Sequence, residues 1–388
     1  MDSNDFYKFL KTSFPFTPTL KQNIGLQKLS NFIFSTLTSD VFVLKGYAGT
    51  GKTTIISVLV KNLWRAKKSA VLLAPTGRAA KVISNYSKNE AFTIHKKIYT
   101  PRADKNGKMS FILAPNKHKQ TLFIVDEASM ISDISNQAKL FGSGSLLDDL
   151  MQYVYSGQQC KLLLIGDTAQ LPPVHLDVSP ALDKKLLERD YSRDITEIEL
   201  TQVVRQQFDS LILSNATQLR DLISTNSALY PSIDCNNDVV SLTEGIDIQD
   251  ALEDSYSIDG VEETVVVCRS NKRANLYNQQ IRARIRFQED EISVGDFIMV
   301  VRNNYHWLPE TSKAGFIANG DTAEVLRIYE FNDLYGSRFA RILIRLIDFP
   351  DMEDLEVIIF LDLLQNDSPA LTFDDYKKLS SKVEKDYA

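Results

Sequence analysis

The 388-residue sequence contains no run of 18 or more apolar residues, so it offers no candidate for a membrane-crossing helix. Its first residues, MDSNDFYKFLKTSF, lack the basic stretch, apolar core and cleavage site of a secretory leader, and a cytoplasmic location is expected. Cysteine is scarce. Cys160, Cys235 and Cys268 are odd in number, far apart and without a CxxC or Cys/His spacing suited to zinc, which leaves them as reduced core thiols. There is no excess of positive charge: the net charge of −6 excludes a chain that is basic all over, although nucleic-acid grooves are local and the total does not decide between partners. Internal repeats and low-complexity tracts are absent too. What is present is a composition of 44% hydrophobic and 24% charged residues, that of a globular chain able to bury a substantial core, at a length that suits two or three domains.

Four short apolar runs recur in the first half: VFVLK (41–45), AVLLA (70–74), TLFIVD (121–126) and KLLLIGD (161–167). Being continuous and nearly free of charge, they read as parallel strands buried on both faces. Amphipathic stretches of helical length, Thr53 to Ala66 and Thr76 to Tyr86, lie between them, and the order is that of a doubly wound α/β domain. The polar, basic interval 100–120 reads as a small β-hairpin turning at KNGK (105–108), with a disordered surface loop as the alternative. Beyond Ser210 the pattern weakens to a helix near 211–223, a Ser/Asn/Asp-rich loop at 224–243, a strand TVVVC (264–268) and a basic helix at 270–286, the opening of a second α/β domain. From about 290 to 365 the strands TAEVLRIYE, FARILIRLID and LEVIIFL predict a small inserted β-barrel.

Three segments carry chemistry. In GYAGTGKTT (46–54) the glycines Gly46, Gly49 and Gly51 with Lys52 and Thr53 satisfy GxxxxGK[ST] between a strand and a helix. Such a loop, which includes Ala48, Thr50 and Thr54, wraps backbone N–H groups around phosphate oxygens. The helix N-terminus adds positive potential, Lys52 reaches the outer phosphates and the Thr53 hydroxyl is offered to Mg²⁺. In FIVDEASM, Asp126 at a strand end suits a Mg²⁺ site and Glu127 suits the base that activates water; a solvated strand terminus is the plainer alternative. In LLLIGDTAQLPPV, Gln170 follows the next buried strand, where a neutral amide can contact the γ-phosphate or the attacking water.

In this order, GYAGTGKTT, APTGRAA (74–80), FTIH (92–95), IVDEASM, IGDTAQLPPV and LTQVVRQ (200–206) resemble superfamily 1 DNA helicases of the RecD/Dda-like branch. The resemblance covers residues 17 to 210 and extends more loosely to VVVCRSNKRANLYNQQIR and FIANGD. It implies a P-loop NTPase with a RecA-like parallel-sheet domain, and a partial second RecA-like domain carrying an all-β SH3-like insertion. The boundaries expected are 1–208 for the ATPase domain, 209–289 for the start of the second, 290–365 for the insertion and 366–388 for a C-terminal helical segment. It implies ATP and Mg²⁺ as cofactors, single-stranded DNA as partner, 5′ to 3′ movement, a monomer, a role in repair or recombination, and possible nuclease or repair partner proteins.

Site residues follow from the same resemblance. Gln22 matches the adenine-recognising glutamine, Arg205 the arginine that reaches the γ-phosphate, and Pro75, Thr76, Gly77 and Arg78 a segment on the DNA backbone. His95 matches a DNA-contacting position, and taken alone it reads as a satisfied core histidine. The hairpin falls where the family carries a fork wedge, with Phe111 or Met109 as its tip or packed onto its own domain. The helix with Arg269, Asn271, Lys272 and Arg273 lines the DNA path or is a solvated face, and Tyr305, His306 and Trp307 stack on bases or cap the barrel. The last helicase motifs, one gripping DNA and one supplying a second arginine, have no counterpart in LLQNDSPALTFDDYKKLSSKVEKDYA. A C-terminal truncation with poor turnover and unwinding is therefore expected. The rival function is an ATP-dependent nucleic-acid-binding switch within a nuclease complex. A small-molecule kinase leaves GDTAQLPP unexplained, and no cluster of acids with lysine suggests a nuclease.

Overall fold

Successive apolar residues along each buried strand point to opposite sides, and this alternation builds two cores from one sheet. In the computed structural model, which describes residues 1–36, 41–103, 109–134, 141–202, 210–225, 230–236, 238–301, 304, 307–308, 312, 317, 319–349 and 351–364, the chain divides into two units, Met1–Asp209 and Ser210–Ala388. The first unit holds strands β1 (Val41–Gly46), β2 (Ser69–Ala74), β3 (Ala91–Thr93), β4 (Tyr99–Ala103), β5 (Met109–Leu113), β6 (Thr121–Val125), β7 (Lys161–Gly166) and β8 (Ile195–Leu200). Its helices are α1 (Ser3–Thr12), α2 (Leu20–Phe34), α3 (Lys52–Asn62), α4 (Gly77–Ser87), α5 (Ile94–Ile98), α6 (Leu146–Ser156) and α7 (Lys184–Tyr191). Six strands form one parallel sheet in the order β3-β2-β6-β7-β1-β8.

On one side of this sheet Phe42, Leu44, Leu72, Leu122, Ile124 and Leu163 pack under α1 to α4 through Leu10, Leu26, Leu59 and Ile83. On the other, Val41, Val43, Leu73, Phe123, Leu162 and Leu164 meet Ile98 of α5, Leu150 of α6 and Leu187 of α7. Each fully buried Leu or Phe contributes about 1.5–3 kcal/mol by leaving water. The four predicted strand runs are therefore the sheet's interior. Strand β8 escaped the sequence reading because ITEIEL mixes charge with apolar residues. It is an edge strand, and its Glu197 pairs with Lys45 Nζ at 2.8 Å while its Glu197 carbonyl accepts from Lys28 Nζ.

The expected hairpin is β4 paired antiparallel with β5, Tyr99 opposite Leu113 and Ala103 opposite Met109; its KNGK turn and the side chain of Met109 lie outside the described residues. Phe111 is not a free tip. It stacks on Phe141 at 4.5 Å, and Phe141 in turn meets Tyr99 and His95. Beneath this aromatic group Asp149 of α6, only 2% exposed, accepts from Tyr99 Oη at 2.6 Å and from the Ser143 amide. Gly142 sits over that carboxylate at φ +42°, and a Cβ there would lie 2.0 Å from Asp149 Oδ2. Gly142→Ala is expected to displace the buried carboxylate and strain the backbone, destabilising the unit by about 2–4 kcal/mol in urea unfolding. An unchanged midpoint would show that the loop simply shifts.

The second unit contains α8 (Leu211–Ser224), α9 (Gly245–Ile258) and α10 (Asn271–Gln280), the last continued by a π-helical turn, Ile281–Ile285. It also contains an antiparallel sheet in the order β12-β11-β10-β9, from β9 (Phe297–Met299), β10 (Thr322–Leu334), β11 (Ser337–Leu346) and β12 (Leu355–Phe360). Val325, Ile342, Ile344 and Val357 form its core. Among the described residues this sheet is a meander with β9 and β12 at its edges. One expectation is corrected. TVVVC is not a strand: Val265 and Val267 are 82% and 90% exposed, and among the described residues β9 to β12 pair only with one another. Residues 366–388 lie outside the described residues, and no described helix is long and apolar enough to cross a membrane.

Candidate nucleotide site

Strands β6, β7 and β1 lie side by side, and a parallel sheet carries its ligand-binding loops at the strands' C-terminal ends. Three loops leave that edge together. After β1 the chain turns through Tyr47 and the exposed Ala48 into Gly49 (φ +77°), Thr50 and Gly51 (φ +89°), the N-cap of α3. Gly51 has to be glycine: beyond its left-handed backbone, a Cβ would lie 2.5 Å from Gln22 Nε2. At Gly46 a Cβ would lie 2.7 Å from Thr50 Oγ1. This tight, glycine-rich turn ending at a helix N-terminus fits a phosphate, and Thr53, exposed in the first turn of α3, and Thr54 next to it have hydroxyls suited to phosphate or a hard cation. Lys52 Nζ donates to the carbonyls of Gly46 and Tyr47, so the ammonium lies across the loop.

Gln22 is 3% exposed and engages the loop from below. Its Oε1 accepts from the Thr19 amide within a capping box at the start of α2, and its Nε2 donates to the Thr50 carbonyl at 3.0 Å. The residue expected to read adenine thus also ties α2 to the phosphate loop.

After β6, Asp126 and Glu127 are half-buried. Asp126 Oδ1 accepts from the Glu127 amide at 3.0 Å, and Oδ2 accepts from Tyr86 Oη of α4 at 2.6 Å. Glu127 adopts a left-handed conformation (φ +53°), a strained state for a residue with a side chain and one that gathers at functional sites. Burial, with Asp126 beside it, pushes the Glu127 carboxyl above its ordinary range; Lys52 pulls it back, Asp167 pushes again, and a hydrogen bond with Gln170 lowers it. After β7, Asp167 is 5% exposed and accepts from the Ala169 amide, while Gln170 Oε1 accepts from Ser129 Oγ at 3.4 Å. Lys52, Asp126, Glu127 and Gln170 are thereby brought to one place. Arg205 lies outside the described residues. Among the described residues no group of three His, Cys, Asp or Glu forms a metal site by itself, so a cation here has to share its shell with hydroxyl, water or phosphate oxygens.

The sequence reading gave no role to Tyr86, Ser129 or Asp167. Asp167 was visible inside IGDTAQ, whereas Tyr86 is 40 residues from its partner and had no local signal. Burial and the neighbouring Asp126 push the Tyr86 phenol up, so it remains a donor at all ordinary pH values.

The residues expected to touch nucleic acid divide between the units. Pro75, Thr76, Gly77 and Arg78 open α4, where Thr76 Oγ1 caps the helix by accepting from the Ala79 amide and Arg78 is exposed. His95 is packed between Tyr99 and Phe141, and burial lowers its pKa against the opposing pull of Asp149. Arg269, Asn271, Lys272 and Arg273 are exposed around the start of α10 in the second unit. Trp307 is 38% exposed; Tyr305 and His306 lie outside the described residues.

Residues 30–228, just over half of the chain, match the AAA domain family. The ATP-dependent DNA helicase Dda of Enterobacteria phage T4 is 28% identical over 264 residues, 66% of this chain and 55% of that protein. The ATP-dependent RecD2 DNA helicase of Deinococcus radiodurans is 31% identical over 175 residues, 45% of this chain and 21% of that protein. The chain thus spans about half the length, or less, of these curated relatives. A Pif1 helicase from Bacteroides, solved with ADP-AlF3 and single-stranded DNA, aligns at a TM-score of 0.38 and 18% identity over 85% of this chain and 72% of its own. The chain belongs to the AAA domain family and is similar to the RecD/Dda-like helicases.

Proposed function

We propose that the chain hydrolyses ATP with Mg²⁺ and couples that hydrolysis to movement on single-stranded DNA, as a helicase or translocase of the RecD/Dda-like type. The observation that carries this reading is the convergence at one sheet edge of Lys52, Asp126, Glu127 and Gln170, with the Glu127 carboxyl held beside both the lysine and the amide. In this reading the Gly46–Thr54 loop cradles the phosphates through its amides, and Lys52 leaves the loop carbonyls to neutralise the outer phosphate oxygens. Thr53 and Asp126 hold Mg²⁺, whose contribution is to neutralise charge on the phosphate oxygens. Glu127 accepts the proton of the attacking water, and Gln170 orients that water while its link to Ser129 keeps the amide in register. Arg205 completes the charge on the γ-phosphate in the same reading, and Gln22 contributes to base recognition.

The start of α4, with the exposed Arg78 and the partial positive charge of a helix N-terminus, suits the DNA backbone. Asn271 and Lys272 supply further polar contacts from the second unit. In the same reading His95, half-buried against Tyr99 and Phe141, contacts the DNA from the start of α5. The similarity to two proteins named as ATP-dependent DNA helicases supports DNA as the track, and 5′ to 3′ is the direction that the family resemblance implies. ATPase measurements with and without oligo-dT test the proposal: slow turnover that rises when the oligonucleotide is added is the expected result. Turnover indifferent to DNA would remove the motor, and no turnover under either condition would remove the hydrolase.

A further inference from the structure

We infer that Tyr86 is a positioning residue for the Asp126 carboxylate, fixing the orientation in which it receives a divalent cation; the inference rests on the ATP and Mg²⁺ reading above. Tyr86 stands near the C-terminal end of α4 and is held at both ends of the residue. Its carbonyl accepts from Ser57 Oγ at 3.3 Å, a side chain of the phosphate-loop helix α3. Its phenol donates to Asp126 Oδ2 at 2.6 Å.

The other carboxylate oxygen accepts from the Glu127 amide, so donors on both oxygens stop the group from rotating about its Cβ–Cγ bond. Each oxygen keeps a lone pair free of these two bonds, which is what a cation or its bound water requires. Carboxylates that ligate metals are generally oriented by such outer hydrogen bonds, and losing one weakens metal binding about 10- to 100-fold. The geometry also gives α4 a second task. The same eleven-residue helix, about 16 Å long at 1.5 Å per residue, opens at Thr76 to Arg78 and carries Tyr86 near its other end.

The test is a Mg²⁺ titration of binding to a fluorescent ATP analogue, with affinity in EDTA as the reference, on the whole chain and on Tyr86→Phe and Ser57→Ala. Tyr86→Phe is expected to keep the EDTA affinity within about twofold while its Mg²⁺ midpoint rises about tenfold. Ser57→Ala removes the other bond to Tyr86 without touching the carboxylate, and its midpoint is expected to stay within about twofold of the parent. An unshifted midpoint in Tyr86→Phe overturns the inference, as does an equal shift in Ser57→Ala, which would make the effect one of α4 packing. Failure of the parent chain to bind the analogue, or to gain from Mg²⁺, sinks the nucleotide-site reading and this inference together.

Discussion

Replacing Glu127 by glutamine is expected to reduce ATP turnover by about 10²- to 10⁴-fold, the range of a lost general base, while nucleotide affinity changes by less than about threefold. Glutamine keeps the shape and the neighbourly contact with Gln170 but cannot take a proton. The same variant is expected to raise stability at neutral pH, and the sign follows from linkage. Burial and Asp126 raise the Glu127 pKa in the folded chain above its unfolded value, so the folded state holds its proton to higher pH. Its contribution is therefore fully present below the unfolded pKa and is lost as pH rises through the folded pKa; at pH 7 the ionised group opposes folding. Glu127→Gln removes that opposition, giving a higher Tm at pH 7 and a smaller gain in acid. In the parent chain the acidic limb of the rate profile is expected above the ordinary glutamate value of 4.5, because activity needs the ionised base. Thermal unfolding and turnover at several pH values check both parts. Lost nucleotide binding in Glu127→Gln would instead assign the residue to holding the loop together.

How far the sequence foretold this site depends on how local each determinant is. The phosphate loop is encoded by consecutive residues, since positive φ at Gly49 and Gly51 is a demand that glycine meets within a single turn. The interior strands were legible for a similar reason: a strand buried on both faces has to be apolar throughout, and Leu162 to Ile165 shows it. β8 was hidden because an edge strand tolerates Glu197 and Glu199. TVVVC failed in the opposite sense, since β-branched residues report a preference for extended backbone but not the presence of a neighbour. Phe111 and His95 were ambiguous in sequence because much of their surroundings comes from 30 to 54 residues away, at Phe141 and Asp149. The Tyr86 contact belongs to the same class, set by where α4 runs across the sheet and not by any motif.

Lys52 links the loop to the acid across from it, and its removal is expected to act on both. In Lys52→Ala the phosphates lose a charge-assisted donor in a partly buried site, a loss of about 2–5 kcal/mol, or about 30- to several-thousand-fold in nucleotide affinity. The loop carbonyls of Gly46 and Tyr47 lose a shared donor at the same time. Glu127 loses the lysine charge that offsets Asp126 and Asp167, so its pKa rises further. Residual turnover in Lys52→Ala should therefore show an acidic limb displaced to higher pH than in the parent, beyond the drop in rate. Lys52→Arg separates the two effects. It restores the charge and with it the position of the limb, but a planar guanidinium on a longer stem does not fit between two loop carbonyls, so affinity remains low. Fluorescent-nucleotide titration and the pH dependence of single-turnover hydrolysis measure the two quantities independently. A limb that stays in place in Lys52→Ala would mean that the lysine acts on phosphate alone and leaves the base unaffected.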